Sequence, residues 1–519
     1  MPVLTPKPDR RIQAYVSIGL FVLTALLRVP FQSQYLYHWD SVQYALATEH
    51  YDVSIDQPQR PGYILYVALG DLLNIITGDP QTSFVWLSIV ASALAVVAVY
   101  HLGRVMVDQR IGVIAALMLL VSPLFWFFGE IAMPHVLEAF FVIVLAILLY
   151  RIAEGNQNLI FPAALWLGIA TGVRQTTILF IFPLCILAVI VGRVRISKIV
   201  LSTLVLGFVC LLWFVPMVWL SGGLDRYISI FMAHNQAGLG PTSIFTAGLS
   251  GPIRNLAKLS RYTLYAWGLA TLPGILFLLI LLLHWKAGFR SRRAAFLAVW
   301  LLPALAFYTL VHMGNQGLVL VFLPSLVLIS AIGLVKLTSF RQSQLLPLGL
   351  IAILLLNASM FLFAPEYLLP GNRLKVLSWQ TIRNLDARYR AKIALIQEHF
   401  PAGQTVVLAR AFRHASYYLP AYRVFRIRAL DERVEGSMSQ IDTSKDHDYR
   451  IISYWESDMV PDDVRYLLLF DEDLLGSIQN RALTQLLVTE EGEHLYYFVL
   501  GEGQAASVRC CLPEFLRLP

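Results

Sequence analysis

Long apolar runs alternate with short polar loops from residue 12 to residue 364, and the pattern then stops. Runs of spanning length fall at 12–30, 82–103, 111–128, 134–150, 176–192, 199–220, 263–284, 294–312, 316–335 and 345–364, with a weaker one at 159–173. A helix of about 20 mostly apolar residues crosses the roughly 30 Å of bilayer hydrocarbon. A soluble core needs far fewer such runs. The pattern predicts a polytopic α-helical membrane protein with about 11 transmembrane helices.

Residues 62–77, GYILYVALGDLLNIIT, interrupt the series. They are short, contain Asp71 and Asn74, and follow Pro58 and Pro61. Their apolar positions 64, 65, 68, 69, 72, 75 and 76 share one helical face, which predicts a helix lying in the interface. With this segment non-spanning and the N-terminus cytoplasmic, the cytoplasmic loops collect Arg104, Arg110, Arg151, Arg193, Arg195, Lys198, Lys286, Arg290, Arg292, Arg293, Lys336 and Arg341. That is the positive-inside bias, and a crossing at 62–77 would invert it. The first run has a basic flank (Lys7, Arg10, Arg11) without a small-residue cleavage site, so it reads as an uncleaved anchor. The C-terminus then lies outside. The expected location is an integral protein of a bacterial inner or plasma membrane.

Beyond residue 365 the chain turns polar. A basic amphipathic helix is predicted at 372–399, followed by β-like runs at 405–409, 422–427, 449–454, 464–470 and 495–500, with a helical stretch ALTQLL at 482–487. The expected organisation is a transmembrane domain at 1–365, including an outer loop at 31–61 and the interfacial helix 62–77. A C-terminal extracytoplasmic α/β domain follows at 366–519.

Only 14% of residues are charged, so the placement of charge is informative. The net charge of +7 is explained by the inner loops and gives no argument for nucleic acid. Cys185 and Cys210 fall in apolar runs and read as packing residues. Cys510 and Cys511 are neighbours, and a bridge between them would close almost no loop.

The remaining charges gather on the outer face. The segment HWDSVQYALATEHYDVSIDQPQRPGY, residues 38–63, places Asp40, Glu49, Asp52 and Asp56 at the membrane rim, where an acid is a functional candidate. Glu130, Arg174, the 221–262 loop and His312 share that side. Each has a plainer explanation. Asp40 could cap a helix beginning at Ser41. Glu130 could be a solvated helix end, and Arg174 could snorkel to headgroups. His135 and His312 could be interfacial packing, and Arg60 a headgroup contact.

Taken in order, these elements resemble the membrane-embedded C-type glycosyltransferases (GT-C), the superfamily of the protein O-mannosyltransferases and the aminoarabinose transferases. The early acid in HWDSVQYA resembles the Asp-Ser-Gly-Glu type motif of one O-mannosyltransferase branch, and QRPGYILY at 59–66 its His-Pro-Pro-Gly-Tyr element. FFGEIAMPHVLEAFF, GIATGVRQTTILFIFP and HMGNQGLVLVFLP follow in the matching order. The chain departs from the pattern at Val42, after Ser41, and at Gln59-Arg60.

The resemblance implies transfer of a sugar from a polyprenyl-phosphate donor to an acceptor hydroxyl on a lipid, glycan or protein. One direct displacement would invert the anomeric centre. Asp40 becomes the candidate base that takes the hydroxyl proton, assisted by Glu130. Arg174 becomes the leading phosphate contact, with Arg60, Arg254, Lys258 and Arg261 behind it and Tyr63, His135 and His312 as further substrate contacts. No cofactor is implied with certainty; a divalent metal on Asp40 and Glu130 is an additional candidate. Membrane lipid is the surrounding partner, and nucleic acid is not expected.

Other readings stay open. A lipid-linked-sugar transporter or flippase would carry paired repeats and mid-membrane charges. A glycan ligase or polymerase of similar architecture would share the outer site but use a diphosphate-linked donor. Asp471 and Asp473 in YLLLFDED resemble an Asp-x-Asp metal motif, but a strand running into a helix N-terminus explains them more simply.

Overall fold

The computed structural model describes residues 10–239, 241–283, 291–339, 345–368, 375–426, 463–477, 484–489 and 492–500. The chain divides into two compact units. Residues 1–33 and 60–381 form a helical unit, and residues 34–59 and 382–519 form the other. The outer loop expected within the transmembrane domain therefore folds with the C-terminal segment.

The helical unit begins with α1 (Arg10–Arg28), α3 (Ile64–Thr77), α4 (Pro80–Met106) and α5 (Gln109–Leu120); α2 belongs to the second unit. It continues through α6 (Pro123–Phe128), α7 (His135–Ala153), α8 (Ile160–Val173), α9 (Thr177–Val191) and α10 (Ile196–Leu220). Further along lie α11 (Leu224–Leu239), α12 (Ile244–Ala247), α13 (Ser250–Trp267), α14 (Thr271–Leu283), α15 (Arg292–Leu310), α16 (Leu323–Ser339) and α17 (Leu345–Phe363). Among the described residues, seven helical segments are long and apolar enough to cross a membrane. The other four expected runs form shorter apolar helices. The run at 111–128 is split because Pro123 cannot continue α5 and instead starts α6.

Position in this unit follows composition. α4 and α7, each 72% buried over their apolar window, pack against each other at the centre. α10 is only 17% buried and exposes Ile196, Val200, Leu204, Phe208 and Leu211, a face that water would penalise and lipid would not. The protein is an integral membrane protein. α4 starts where Asp79 Oδ2 accepts from the Thr82 N–H at 2.8 Å, and α5 where Asp108 Oδ1 accepts from the Ile111 N–H at 2.8 Å. The two pack closely because Gly103 faces Gly112; a Cβ at Gly103 would lie 2.7 Å from the Gly112 Cα. α3 buries Tyr66, Val67 and Gly70 and leaves Leu72, Ile75 and Ile76 exposed, the one-sided pattern expected of 62–77.

In the second unit, α2 (Trp39–Glu49) lies in the 34–59 segment, and α18 (Trp379–His399) enters the unit at Ile382. A five-stranded sheet follows, with β1 (Thr405–Ala409), β2 (Arg423–Arg426), β3 (Tyr466–Leu469), β4 (Gln485–Val488) and β5 (His494–Val499) in the order β2-β1-β3-β5-β4. β1 is parallel to β2 and β3, and the β3–β5 and β5–β4 pairs are antiparallel. The short α19 (Phe412–Tyr418) connects β1 to β2. The expected helix at 482–487 is corrected: its second half begins β4, an edge strand fixed by pairing Leu486 with Tyr496. The run at 449–454 and the Cys510–Cys511 pair lie outside the described residues.

Candidate active site

Asp40 sits in the first turn of α2, yet it does not cap that helix. His38 is the N-cap: its Nδ1 accepts from the Asp40 N–H at 3.1 Å, and Ser41 Oγ accepts from the His38 N–H at 3.3 Å. The Asp40 carboxylate is left for other work. It is 18% exposed, lies 3.5 Å from His38 Nδ1 and accepts from Gln59, whose Nε2 also donates to Tyr44 Oη at 2.9 Å. Burial alone would raise its pKa. The charge and hydrogen bond of His38, with Gln59 and Arg413, outweigh burial and hold the carboxyl below its ordinary value. In turn, burial opposes protonation of His38, but Asp40 prevails and raises the imidazole pKa.

Residues far along the chain hold this loop in place. Asp386 on α18 accepts from the Gln34 and Tyr35 N–H groups, each at 3.0 Å. On α19, Tyr418 Oη accepts from the Leu36 N–H at 2.7 Å, and His414 Nε2 donates to the Leu36 carbonyl at 2.8 Å. Arg413 Nη2 meets Asp56 Oδ2 at 3.1 Å, and its guanidinium lies over the Trp39 ring at 5.2 Å. None of Asp386, Arg413, His414 or Tyr418 carried a signal in the sequence. Asp471 Oδ2 accepts from the N–H groups of Arg410 and Ala411, at 2.6 and 2.9 Å, and so holds the backbone between β1 and α19 rather than the turn that follows its own strand. The Asp473 side chain lies outside the described residues.

The helical unit holds a second polar cluster where α7, α8 and α9 meet. Arg174, at the C-terminus of α8, is buried and does not snorkel. Its Nη1 lies 2.6 Å from Glu138 Oε2 and donates to His135 Nδ1 at 2.9 Å. Thr177 donates to the other Glu138 oxygen at 2.9 Å. Tyr63 and Tyr308 lie near the same guanidinium. Tyr63 has a φ of 43°, a left-handed conformation that costs roughly 1–2 kcal/mol outside glycine. Gly317 lets the 316–321 turn pass over the His135 ring, because a Cβ there would overlap it. Three predicted residues, Arg174, His135 and Tyr63, thus converge, and Glu138, Thr177 and Tyr308 were missed. Glu138 could have been noticed as an acid in the first turn of an apolar helix. Arg174 Nε has no hydrogen-bond partner among the described residues, so the guanidinium keeps donor capacity.

Glu130 is placed elsewhere. It is fully buried rather than a solvated helix end, with Oε1 3.8 Å from Arg28 Nε. Arg28 donates to the Leu120 carbonyl at 2.8 Å and to Ser92 Oγ at 3.3 Å and lies over the Trp126 ring at 4.7 Å. His312 Nδ1 hydrogen-bonds Thr242 Oγ1 at 3.0 Å, and the adjacent Met313 carbonyl accepts from Lys258 at 3.4 Å. Arg254, Lys258 and Arg261 recur on α13 at helical spacing, with Arg254 and Arg261 exposed and Arg261 over the Tyr262 ring at 5.1 Å. Arg60 ends two residues before the start of the Gly62-Tyr63 turn and is half-buried.

Among the described residues, no three His, Cys, Asp or Glu side chains gather as metal ligands. Asp40 faces His38 and Arg413, and Glu130 faces Arg28.

Residues 59–220 match the model of the dolichyl-phosphate-mannose-protein mannosyltransferase family. No curated protein matches by sequence. In fold the chain is similar to ArnT from Cupriavidus metallidurans bound to undecaprenyl phosphate, with a TM-score of 0.60 and 11% identity over 95% of this chain and 98% of that one. The oligosaccharyltransferase of Archaeoglobus fulgidus in its apo form gives 0.50 and 12% identity over 91% of this chain and 70% of that one. The chain is similar to this mannosyltransferase family over residues 59–220 and shares its fold with ArnT and the archaeal oligosaccharyltransferase.

Proposed function

We propose that the protein transfers a sugar from a polyprenyl-phosphate donor to an acceptor hydroxyl at the extracytoplasmic face, by one inverting displacement with Asp40 as general base. The observation that carries this reading is the state of Asp40. Its helix is capped by His38 rather than by Asp40 itself, and its carboxyl is held below its ordinary pKa by His38, Gln59 and Arg413 while remaining partly open to solvent. A base must be ionised and reachable before the hydroxyl proton leaves.

The reaction needs a second function. As the anomeric carbon–oxygen bond breaks, negative charge returns to the lipid phosphate and must be met by cations. Arg174, with its unengaged Nε, and the α13 residues Arg254, Lys258 and Arg261 supply them. The undecaprenyl phosphate bound by ArnT, a protein of the same fold, favours a lipid phosphate over a nucleotide as the donor's carrier. The positive-inside loops favour a cytoplasmic N-terminus and an extracytoplasmic C-terminal unit. Glu130, sealed against Arg28, is given no part in the chemistry.

The test is product mass spectrometry on purified full-length protein offered a panel of polyprenyl-phosphate sugars, the matching polyprenyl-diphosphate sugars and nucleotide sugars. Transfer from the monophosphate donors alone supports this reading. Transfer only from diphosphate-linked donors would make the protein a ligase or polymerase, and nucleotide-sugar use would overturn the donor class.

A further inference from the structure

In α/β sheets, small ligands bind beyond the carboxyl ends of parallel strands, at the point where chain connections diverge. Here β1 has parallel neighbours on both sides, and its carboxyl end leads through Arg410 and Ala411 into α19. That end of the sheet does not stand open. The 34–59 segment docks on α19 through Leu36 to His414 and Tyr418, Asp56 to Arg413, and Trp39 to Phe412, whose rings are 4.7 Å apart. The sheet therefore holds the loop that carries Asp40.

Arg413 is unusual within this contact. It is buried, with its side chain 3% exposed, and 357 positions separate it from Asp56. A buried guanidinium is costly unless its charge is used. Asp56 answers part of that charge, and Trp39, the residue immediately before Asp40, packs on its face, which brings the guanidinium to the start of α2 where Asp40 sits.

We propose that Arg413 is a positioning residue for Asp40: anchored by Asp56 and packed on Trp39, it presents a fixed positive charge to the Asp40 carboxylate. The C-terminal unit is then part of the apparatus that readies the base, not only a cover or an acceptor guide. This inference rests on the reading of Asp40 as the base. The groups facing Asp40 are His38 and Gln59 from its own segment and Arg413 from α19, with Asp56 and His414 beside Arg413. Arg413 acts with the same sign as His38: both favour the ionised carboxylate.

The test is the pH dependence of kcat/KM for full-length protein, using the polyprenyl-phosphate sugar that the wild type turns over best. Arg413→Gln removes the charge, so the acid limb should move to higher pH while the alkaline plateau is largely kept. Arg413→Lys keeps the charge and should leave the limb near its wild-type position. Asp56→Asn removes the competing anion and leaves Arg413 facing Asp40, so the limb should move to lower pH. Damage to folding does not produce opposite shifts in two variants of one ion pair. An unmoved limb in Arg413→Gln, or an equal loss at every pH, overturns the proposal. If Arg413→Gln does not fold, Asp56→Asn decides, and an unmoved or alkaline-shifted limb overturns it. Asp40→Asn is run alongside. If it keeps full turnover, the base reading fails and the proposal falls with it; if it is inactive while the Arg413→Gln limb stays put, only the proposal falls.

Discussion

One nitrogen of His38 serves Asp40 in two ways that exclude each other. Nδ1 accepts the Asp40 backbone N–H at 3.1 Å when it carries no proton, and it lies 3.5 Å from the Asp40 carboxylate, which it can engage only when protonated. Lowering the pH therefore trades a helix cap for an ion pair at the same residue.

His38→Asn separates the two roles. Asparagine is a strong N-cap, so the thermal midpoint of the purified protein should change little. It carries no charge, so Asp40 loses its largest stabilising neighbour and its pKa rises. The acid limb of the pH–rate profile should move to higher pH. A limb that stays in place would show that His38 acts only as a cap.

The Arg174–Glu138 pair yields a stability prediction. Both partners are buried, and removing one leaves an uncompensated charge that costs about 3–5 kcal/mol. Glu138→Gln and Arg174→Met should each lower the midpoint of thermal unfolding in detergent by several degrees. The double variant Glu138→Leu with Arg174→Met should recover much of that loss, because a hydrophobic pair of similar volume tolerates burial. Activity should not return with stability if Arg174 also meets the donor phosphate. Recovery of both would make the pair purely structural.

Acid should loosen the 34–59 segment. Burial lowers the His414 imidazole from an ordinary value of 6.5 to about 4, against the favourable bond to Leu36. The depressed folded value means that its contribution is complete above 6.5 and is lost as the pH falls towards about 4. Proteolytic nicking within 34–59 should speed up across that window in the wild type. His414→Gln keeps an N–H donor but cannot titrate, so its nicking should lack this acid dependence. An identical profile in the variant would assign the loosening to other groups.

The membrane architecture was legible because spanning length and apolar composition are local properties. The run at 111–128 read as one helix because the consequence of Pro123 depends on where the next turn packs, and Ser122 Oγ donates to the distant Ala266 carbonyl at 2.6 Å. ALTQLL satisfies both helical and strand periods, and only pairing with β5 decided it. Asp40 was visible as an acid in a polar rim segment, and Arg174, His135 and Tyr63 as polar residues beside apolar runs. Their partners were less so. Glu138 was hidden within a helix start already assigned to Glu130, and Arg413 and His414 belong to α19, hundreds of positions away. Sequence distance also concealed that the 34–59 loop folds with the C-terminal sheet.

The central claim is that Asp40 takes the acceptor proton, and turnover of Asp40→Asn tests it most directly. The amide keeps the shape of the side chain and disturbs no cap, because His38 provides that, but it cannot accept a proton at neutral pH. The measurement is product formation from a polyprenyl-phosphate sugar by equal amounts of folded wild-type and variant protein. Loss of transfer by about 100-fold or more, at an unchanged unfolding midpoint, is the expected result. Turnover within a few-fold of wild type would contradict it and return the search for the base to other acids.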